Sequence, residues 1–347
     1  MNIDVKIDIW QYLKTASKPI VLYGMGNGAE KILNEFEKLS ITVSGIFASD
    51  GFVREKVFRG FKIKSYSQIK AEFPEMIVIV AFGSYLDDVI CNIKKIAAEQ
   101  ELYAVDVPVY GNTIFNLSYY NENKARFVNI YNKLCDEQSK KVFVNTILYK
   151  LTGKIDYLFE CETETTEADK LLNLGENENY LDLGAYNGDT VDSFIKTVKT
   201  YNSITAVEPD YKNYKKLLKN TEELDRIECI NALIGEKDGT AQFSMNSGRN
   251  SHRGEGVAVR MMSMDTLGKK IPFSFIKMDV EGNEKNAILG GRETIKTRKI
   301  KMQIACYHKS EDILELAETV LSLNPQYKLY MRHFKYIPAW DINYYFV

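Results

Sequence analysis

The segment Tyr180-Leu-Asp-Leu-Gly-Ala-Tyr-Asn-Gly-Asp-Thr190 reads as a strand, a glycine turn and the start of a helix. Gly184 ends the strand without a side chain, so a ligand can approach the backbone. Gly188 admits the tight turn into a helix whose first N–H groups face the same place. Ala185, Tyr186, Asn187 and Thr190 make up the rest of this mouth, and Asp182 and Asp189 render it acidic. An acidic mouth suits a ligand with an amino group and a positive centre better than one carrying phosphates, and S-adenosyl-L-methionine fits that description. In Ala206-Val-Glu-Pro-Asp210, Glu208 ends the next strand beside Pro209, where a carboxylate can accept both hydroxyls of a ribose. Asn231 and Ala232, within the strand-like run after that, complete the expected cofactor rim.

These residues need strands to carry them, and the hydropathy pattern supplies them. Strand-like runs at 180–185, 204–207, 227–234, 241–245, 273–278, 301–306, 327–331 and 343–347 alternate with helical spacing at 190–198, 211–224, 284–289 and 311–323. This order predicts a mostly parallel sheet. The last two strands have no helix between them and are expected to pair antiparallel at one side. The Gly-, Ser- and Arg-rich stretch 246–256 is expected to be a loop. A smaller unit precedes this one, with apolar runs at 19–23, 41–47 and 76–82, helical spacing at 29–39 and 86–98, and a short strand near 103–107. Between the two, residues 119–157 have helical spacing, with Phe127, Ile130, Leu134, Val142, Phe143, Ile147 and Leu151 as the buried face. Residues 160–179 are acidic and polar, as expected of a solvated boundary. The expected organisation is an α/β domain of Rossmann-like form at 1–115, a helical connector at 116–178 and a second α/β domain at 179–347.

Composition removes several classes of function. The 347 residues include 45 Lys+Arg against 47 Asp+Glu, a net charge of -2, and 45% are hydrophobic. That balance excludes intrinsic disorder and nucleic-acid binding by bulk charge. No run reaches the roughly 20 apolar residues of a membrane helix, and the first ten residues lack the regions of a secretory signal. A cytoplasmic protein is expected. Cys91, Cys135, Cys161, Cys229 and Cys306 are scattered and form no C-x-x-C pair, which argues against a disulfide framework or structural zinc.

Taken in order, Leu181-Asp-Leu-Gly-Ala-Tyr-Asn-Gly-Asp-Thr190, Val207-Glu-Pro209, Ser263-Met-Asp-Thr-Leu267 and Phe275-Ile-Lys-Met-Asp-Val-Glu-Gly-Asn-Glu284 resemble the motifs of the FkbM family of S-adenosylmethionine-dependent methyltransferases. The resemblance continues through Ala305-Cys-Tyr-His308 and Tyr330-Met-Arg-His333 and covers 180–347, with an echo at 136–158. It implies a class I methyltransferase fold, parallel with an antiparallel final strand. It also implies methyl transfer, usually to a hydroxyl oxygen of a sugar or other natural-product scaffold. Family members often carry an acidic residue before the later histidine, where this chain has Ala305-Cys-Tyr-His308.

Methyl transfer from a sulfonium asks the protein to align the acceptor and remove its proton. His308 and Asp279 each follow a candidate strand and are expected at the cofactor rim, with Asp279 also near the cofactor itself. His308 has three readings: general base, hydrogen-bond partner of the acceptor, or structural histidine. Glu281 is a candidate for binding substrate, assisting the base or capping the helix that follows. His252 and Arg253 are candidates for covering the acceptor, and His333 is expected to pack near the final hairpin. Two acids without a third ligand do not establish a metal site, so no metal is expected.

The amino-terminal Gly24-Met-Gly-Asn-Gly-Ala29 satisfies a G-x-G-x-x-A pattern after a strand, with Asp50 some two dozen residues on. Gly24, Gly26 and Gly28 mark either a turn for a nucleotide or nucleotide-sugar, or a non-binding domain used for acceptor docking or homodimer contact. Two further functions compete with methyl transfer: an NAD-dependent oxidoreductase using this turn, and a catalytically silent binding scaffold.

Overall fold

Short apolar runs, buried from end to end, form the inner strands of the first sheet. They are β1 (Ile20–Tyr23), β2 (Gly45–Ala48) and, after the edge strand β3 (Lys64–Ser65), β4 (Ile77–Val80). With β5 (Glu101–Tyr103) they make a parallel sheet in the order β3-β2-β1-β4-β5. Runs apolar on both faces are what helix-covered parallel strands require. The strand expected near 103–107 ends at Tyr103, because the chain turns out of the sheet and Asp106 enters a buried ion pair, 2.8 Å from Lys150. The computed structural model describes residues 1, 3–49, 57–244, 252–253 and 256–347.

The second sheet holds β6 (Asn179–Leu183), β7 (Ser203–Val207), β8 (Ile227–Ile230), β9 (Phe275–Met278), β10 (Lys301–Ala305), β11 (Leu329–His333) and β12 (Ile342–Phe346). Its order is β8-β7-β6-β9-β10-β12-β11. All pairs are parallel except those of β12, which is antiparallel to both neighbours and lies between β10 and β11. The expected antiparallel final strand is therefore present, inserted within the sheet. The order reverses between β6 and β9, and the crevice beyond their carboxyl ends is the switch point at which such sheets take ligands.

The segment expected to be a loop at 246–256 includes a short strand, His252–Arg253, paired antiparallel with Phe243 and Ser244 of the strand Gly239–Ser244. The acceptor-covering role expected of the His252 and Arg253 side chains lies outside the described residues, as does Asp50.

The connector does more than join two sheets. Its longest helix, Glu137–Thr152, is capped by Asp136, whose carboxylate accepts from Ser139 N at 2.7 Å and pairs with Arg332 of β11 at 2.6 Å. One apolar cluster runs from Tyr23 and Val80 through Phe127 and Phe143 to Ile304 and Tyr344, so both sheets and the connector share a core. The acidic stretch 160–179 is not simply a solvated boundary. It contains the helix Thr165–Leu172, Thr163 N donates to His333 O at 2.8 Å, and buried Glu178 meets Lys301 at 3.1 Å. Local composition hid this, since its few buried side chains are anchored by residues far away in sequence. Among the described residues no helix is long and apolar enough to cross a membrane.

Candidate active site

Backbone geometry at the ends of β6 and β9 builds the cleft. Gly184 has φ +85°, and its N–H, like that of Ala185, donates to Val207 O at 3.0 Å. A Cβ there would lie 1.8 Å from Asp279 O, so the residue must be glycine for the two strands to stay in register. Gly188, at φ +91°, packs against Leu217 and precedes the helix Asp189–Val198. Beyond these turns opens a cleft of about 710 Å³.

Its cofactor side contains much of what the sequence proposed. Gly184, Tyr186, Asp189 and Thr190 line it, as do Glu208, Pro209 and Ala232. Glu208 is buried, and each carboxylate oxygen accepts one main-chain N–H, from Asp210 at 2.8 Å and from Tyr186 at 2.9 Å. Burial pushes Glu208 up to about 7, against the opposing pull of those two N–H groups. Tyr186 is held at φ +49°, the left-handed region, in making this bond.

Asp182, Ala185, Asn187, Gly188 and Asn231 do not line the cleft; they brace it. Asp182 is fully buried, accepts from the Thr190 hydroxyl and faces Lys277 Nζ at 3.5 Å. Lys277 lies directly opposite Asp182 in the β6–β9 register and also donates to Gly184 O at 3.2 Å. Burial lowers the Lys277 pKa, but Asp182 and Asp279 outweigh this and raise it. Asn231 donates to Glu208 O and Pro209 O, at 2.8 and 3.1 Å, fixing the loop after β7.

At the other end of the cleft, carboxylates surround His308. Its Nε2 lies 3.3 Å from Asp279 Oδ1 and 3.5 Å from Glu281 Oε2, while Nδ1 lies 3.0 Å from Glu284 Oε1. Burial would lower this histidine, but Glu284, Asp279 and Glu281 together push it up to about 10. Glu281 is raised by burial to about 7 and shares a side-chain hydrogen bond with Tyr110. It does not cap the next helix; Glu284 takes main-chain N–H bonds from Val280 and Gly282, at 3.0 and 3.3 Å. Tyr307 donates to Asp279 Oδ2 at 3.3 Å. His333 is buried in β11 beside the final strand, and burial lowers it to about 4.

Several residues here were not singled out from the sequence. Lys277 and Glu284 lie inside the quoted motif, and strand register or helix spacing would have found them. Tyr85, Tyr110, Tyr336 and Trp340 carry no local signal. Tyr85, on the loop after β4, stacks toward Tyr336 at 5.8 Å between ring centres, and Ser84 exchanges main-chain hydrogen bonds with Ile337. The first sheet thereby supplies part of the cleft wall. The sequence offered two acids without a third ligand; the fold adds Glu284, and Asp279, Glu284 and His308 each place a ligand atom within 4.8 Å of the others.

At the amino-terminal glycine turn, two of the three glycines are in close contact with the protein's own atoms. A Cβ on Gly24 would fall 2.5 Å from the Phe82 ring, and one on Gly28 would fall 2.4 Å from Ala81 O. These glycines permit close packing of the helix Asn27–Leu39 on β4, with Phe82 where a ligand would approach Gly24; nothing crowds Gly26.

Residues 182–337 match the model of the methyltransferase FkbM domain. Among solved structures, the chain is similar to the methyltransferase FkbM of Methylobacillus flagellatus KT, with a TM-score of 0.74 and 20% identity over 95% of this chain and 90% of that one. That likeness establishes a shared fold. Precorrin-6y C5,15-methyltransferase of Geobacter metallireducens GS-15 aligns at a TM-score of 0.36 and 9% identity, over 52% of this chain and 84% of that one. Fibrillarin of Aeropyrum pernix, solved with natively bound S-adenosyl-L-methionine, aligns at 0.34 and 13% identity, over 52% and 74%. No curated protein matches the sequence.

Proposed function

From the match of residues 182–337 to the methyltransferase FkbM domain we propose that the protein is an S-adenosylmethionine-dependent methyltransferase acting on a hydroxyl oxygen of a saccharide, a nucleotide-sugar or a related natural product. The observation that carries this reading is Glu208. Its two oxygens are each steered by one main-chain N–H and each keep capacity to accept a ribose hydroxyl, at the strand end where a nucleoside fits. Val207, Leu233 and Phe243 line the same part of the cleft and suit an adenine ring.

The cofactor supplies a methyl group on a positively charged sulfur, already activated for transfer. The chain's task is to orient the acceptor and take its proton. His308 is poorly suited to be the base, because both ring nitrogens face carboxylates at 3.0–3.5 Å and no free lone pair is offered to an acceptor. Asp279, about one-third exposed and lying between His308 and Tyr307, is the group an acceptor hydroxyl meets. In this reading His308 and Tyr307 position Asp279, and the wall of Tyr85, Tyr336 and Trp340 packs against a sugar ring.

Thermal-shift measurements test the cofactor. S-adenosylhomocysteine at a hundred times its Kd is expected to stabilise the fold by about 2.7 kcal/mol, visible as a rise in Tm, whereas NAD is expected to leave Tm unchanged because Phe82 packs against Gly24 where a dinucleotide would approach the backbone. The reverse pattern would favour the oxidoreductase reading, and no shift with either would favour a silent scaffold.

Glu208→Ala is expected to weaken S-adenosylhomocysteine binding by roughly one to two orders of magnitude, since a charge-assisted hydrogen bond is worth about 1.5–3 kcal/mol. The ionised carboxylate is the competent acceptor, so wild-type affinity should fall as pH drops below about 7, and the variant should lose that dependence. Stability of the ligand-free protein runs the other way. A carboxyl raised in the folded state contributes most below its ordinary pKa, and that contribution is lost as pH rises through about 7. Calorimetric titration between pH 6 and 8 checks the binding trend; a flat wild-type profile would remove Glu208 from the site.

A further inference from the structure

The acceptor end of the cleft holds more buried carboxylate than positive charge. Asp279, Glu281 and Glu284 all lie within 3.5 Å of His308, and buried Asp312 adds a fourth carboxylate acting on the same imidazole. Among the described residues no lysine or arginine lies within ion-pair distance of these four acids, although Lys277 and Lys31 act on Asp279 and Glu281 from farther away. Lys277 faces Asp182 and donates to Gly184 O, and Lys31 donates to the carbonyls of Pro108 and Val109. One imidazole is the ion-pair partner of Asp279, Glu281 and Glu284, and for the two acids that are buried, Glu284 and Asp312, an unpaired charge is costly.

The cluster is also unsatisfied in its hydrogen bonding. His308 and Glu284 are 1% and 0% exposed, and neither His308 Nδ1 nor Glu284 Oε2 makes an aligned hydrogen bond. Glu284 is nonetheless held in place, because its other oxygen accepts from Val280 N and Gly282 N. Asp279, Glu284 and His308 each present one donor atom within 4.8 Å of the others, and Glu281 approaches the same histidine. Donors bonded at right angles to a small divalent ion at about 2.1 Å stand about 3.0 Å apart. On the Nε2 side of His308, Asp279 and Glu281 stand at 3.3 and 3.5 Å, near that spacing, while Glu284 meets the other ring nitrogen, Nδ1, at 3.0 Å, so the imidazole or the Glu284 carboxylate must turn for all of them to share one ion.

We propose that Asp279, Glu284 and His308, with Glu281 at the rim, form a binding site for a divalent cation. Carboxylate oxygens with a single imidazole, and no thiolate in the cluster, select an oxygen-seeking ion such as Mg²⁺ or Mn²⁺. The ion takes the place of an imidazole proton and supplies the missing charge. Asp279 also lines the cleft, so a hydroxyl entering beside Tyr307 would reach the ion and become more acidic there. That role in catalysis rests on the methyl-transfer reading; the binding itself does not.

The test is a titration of chelator-treated full-length protein with MnCl₂, following loss of the free Mn²⁺ signal by electron paramagnetic resonance. One saturable Mn²⁺ per chain is expected, competed by Mg²⁺. Asp279→Asn and Glu284→Gln should each weaken it at least about tenfold, while Glu315→Gln, in a surface pair with Lys285, should not. S-adenosylhomocysteine binding by each variant verifies that it is folded; if Glu284→Gln fails this check, Asp279→Asn decides alone. Mn²⁺ that stays free in the presence of wild type, or binds equally well to both site variants, overturns the proposal. Mn²⁺ binding without S-adenosylhomocysteine binding would sustain the cation site while refuting the methyltransferase reading.

Discussion

Gly184→Ala is expected to destabilise the protein by about 2–6 kcal/mol, the sum of two costs of roughly 1–3 kcal/mol each. The first is conformational, since the residue sits at φ +85°, where a Cβ is disfavoured. The second is steric: the new methyl would fall 1.8 Å from Asp279 O and 2.8 Å from Asp279 C. The obstacle is main chain, and it cannot rotate away. Asp279 N is bonded to Leu183 O at 2.9 Å, and the β6–β9 register is fixed on either side. Relief would require β6 and β9 to separate at the cleft, displacing Asp279 from His308 and Gly184 from Lys277. Urea denaturation followed by circular dichroism measures the loss, with Gly175→Ala as the control. Gly175 lacks a positive φ and its nearest neighbour would be Glu178 at 4.0 Å, so the control should stay within about 0.5 kcal/mol of wild type. A wild-type denaturation midpoint for Gly184→Ala would mean that the close approach of the two strand ends is not maintained in solution.

Asp279→Asn is expected to lower kcat for methyl transfer by about 10²–10⁴-fold, the range for removing a positioned proton acceptor. Asparagine keeps the shape and still accepts from Tyr307, so the cleft should persist and S-adenosylhomocysteine affinity should change little. The split between kcat and cofactor affinity separates this role from a merely structural one. Loss of kcat with unchanged cofactor binding supports Asp279 at the acceptor, whether it takes the proton directly or holds a cation that acidifies the hydroxyl. Single-turnover rates with a glycan acceptor give the cleanest measurement, because product release does not enter. An unchanged rate would move the reaction away from the His308 cluster altogether.

The glycine turns and the Glu208 end of the cleft were legible from the amino acids because their determinants are local. A strand, Gly184, Gly188 and the next helix lie consecutively, and Glu208 follows at the end of the adjacent strand, so periodicity and turn chemistry suffice to place them. Tyr211 was expected to start a helix ending near 224, and the helix stops at Asn220, where the Thr221 hydroxyl bonds back to Leu217 O. Differences of this kind leave the site untouched. The stretch 160–179 is mostly solvated as expected, but its polarity concealed Glu178 and Thr163, whose partners Lys301 and His333 are more than a hundred residues away.

The acceptor end was much less legible. His308 looked like a base by its residue type and strand position, yet three carboxylates from the loop after β9 and the following helix enclose it, a fact of folded geometry. Tyr85 and Tyr110 belong to stretches with no chemical pattern of their own, but the shared core brings them against the later sheet. The glycine turn at Gly24 shows a different case: its spacing resembles a nucleotide motif, and the folded chain also uses Gly24 and Gly28 for close packing against Phe82 and Ala81.

By itself the sequence determined the alternation of strands and helices, the glycine turns and the acidic strand ends, because each follows from neighbours along the chain and from the sterics of single residues. Only the tertiary structure decided which acids share His308, which sheet walls the cleft and which glycines are packed against other atoms, because electrostatics and exclusion depend on distances that the chain closes only when it folds.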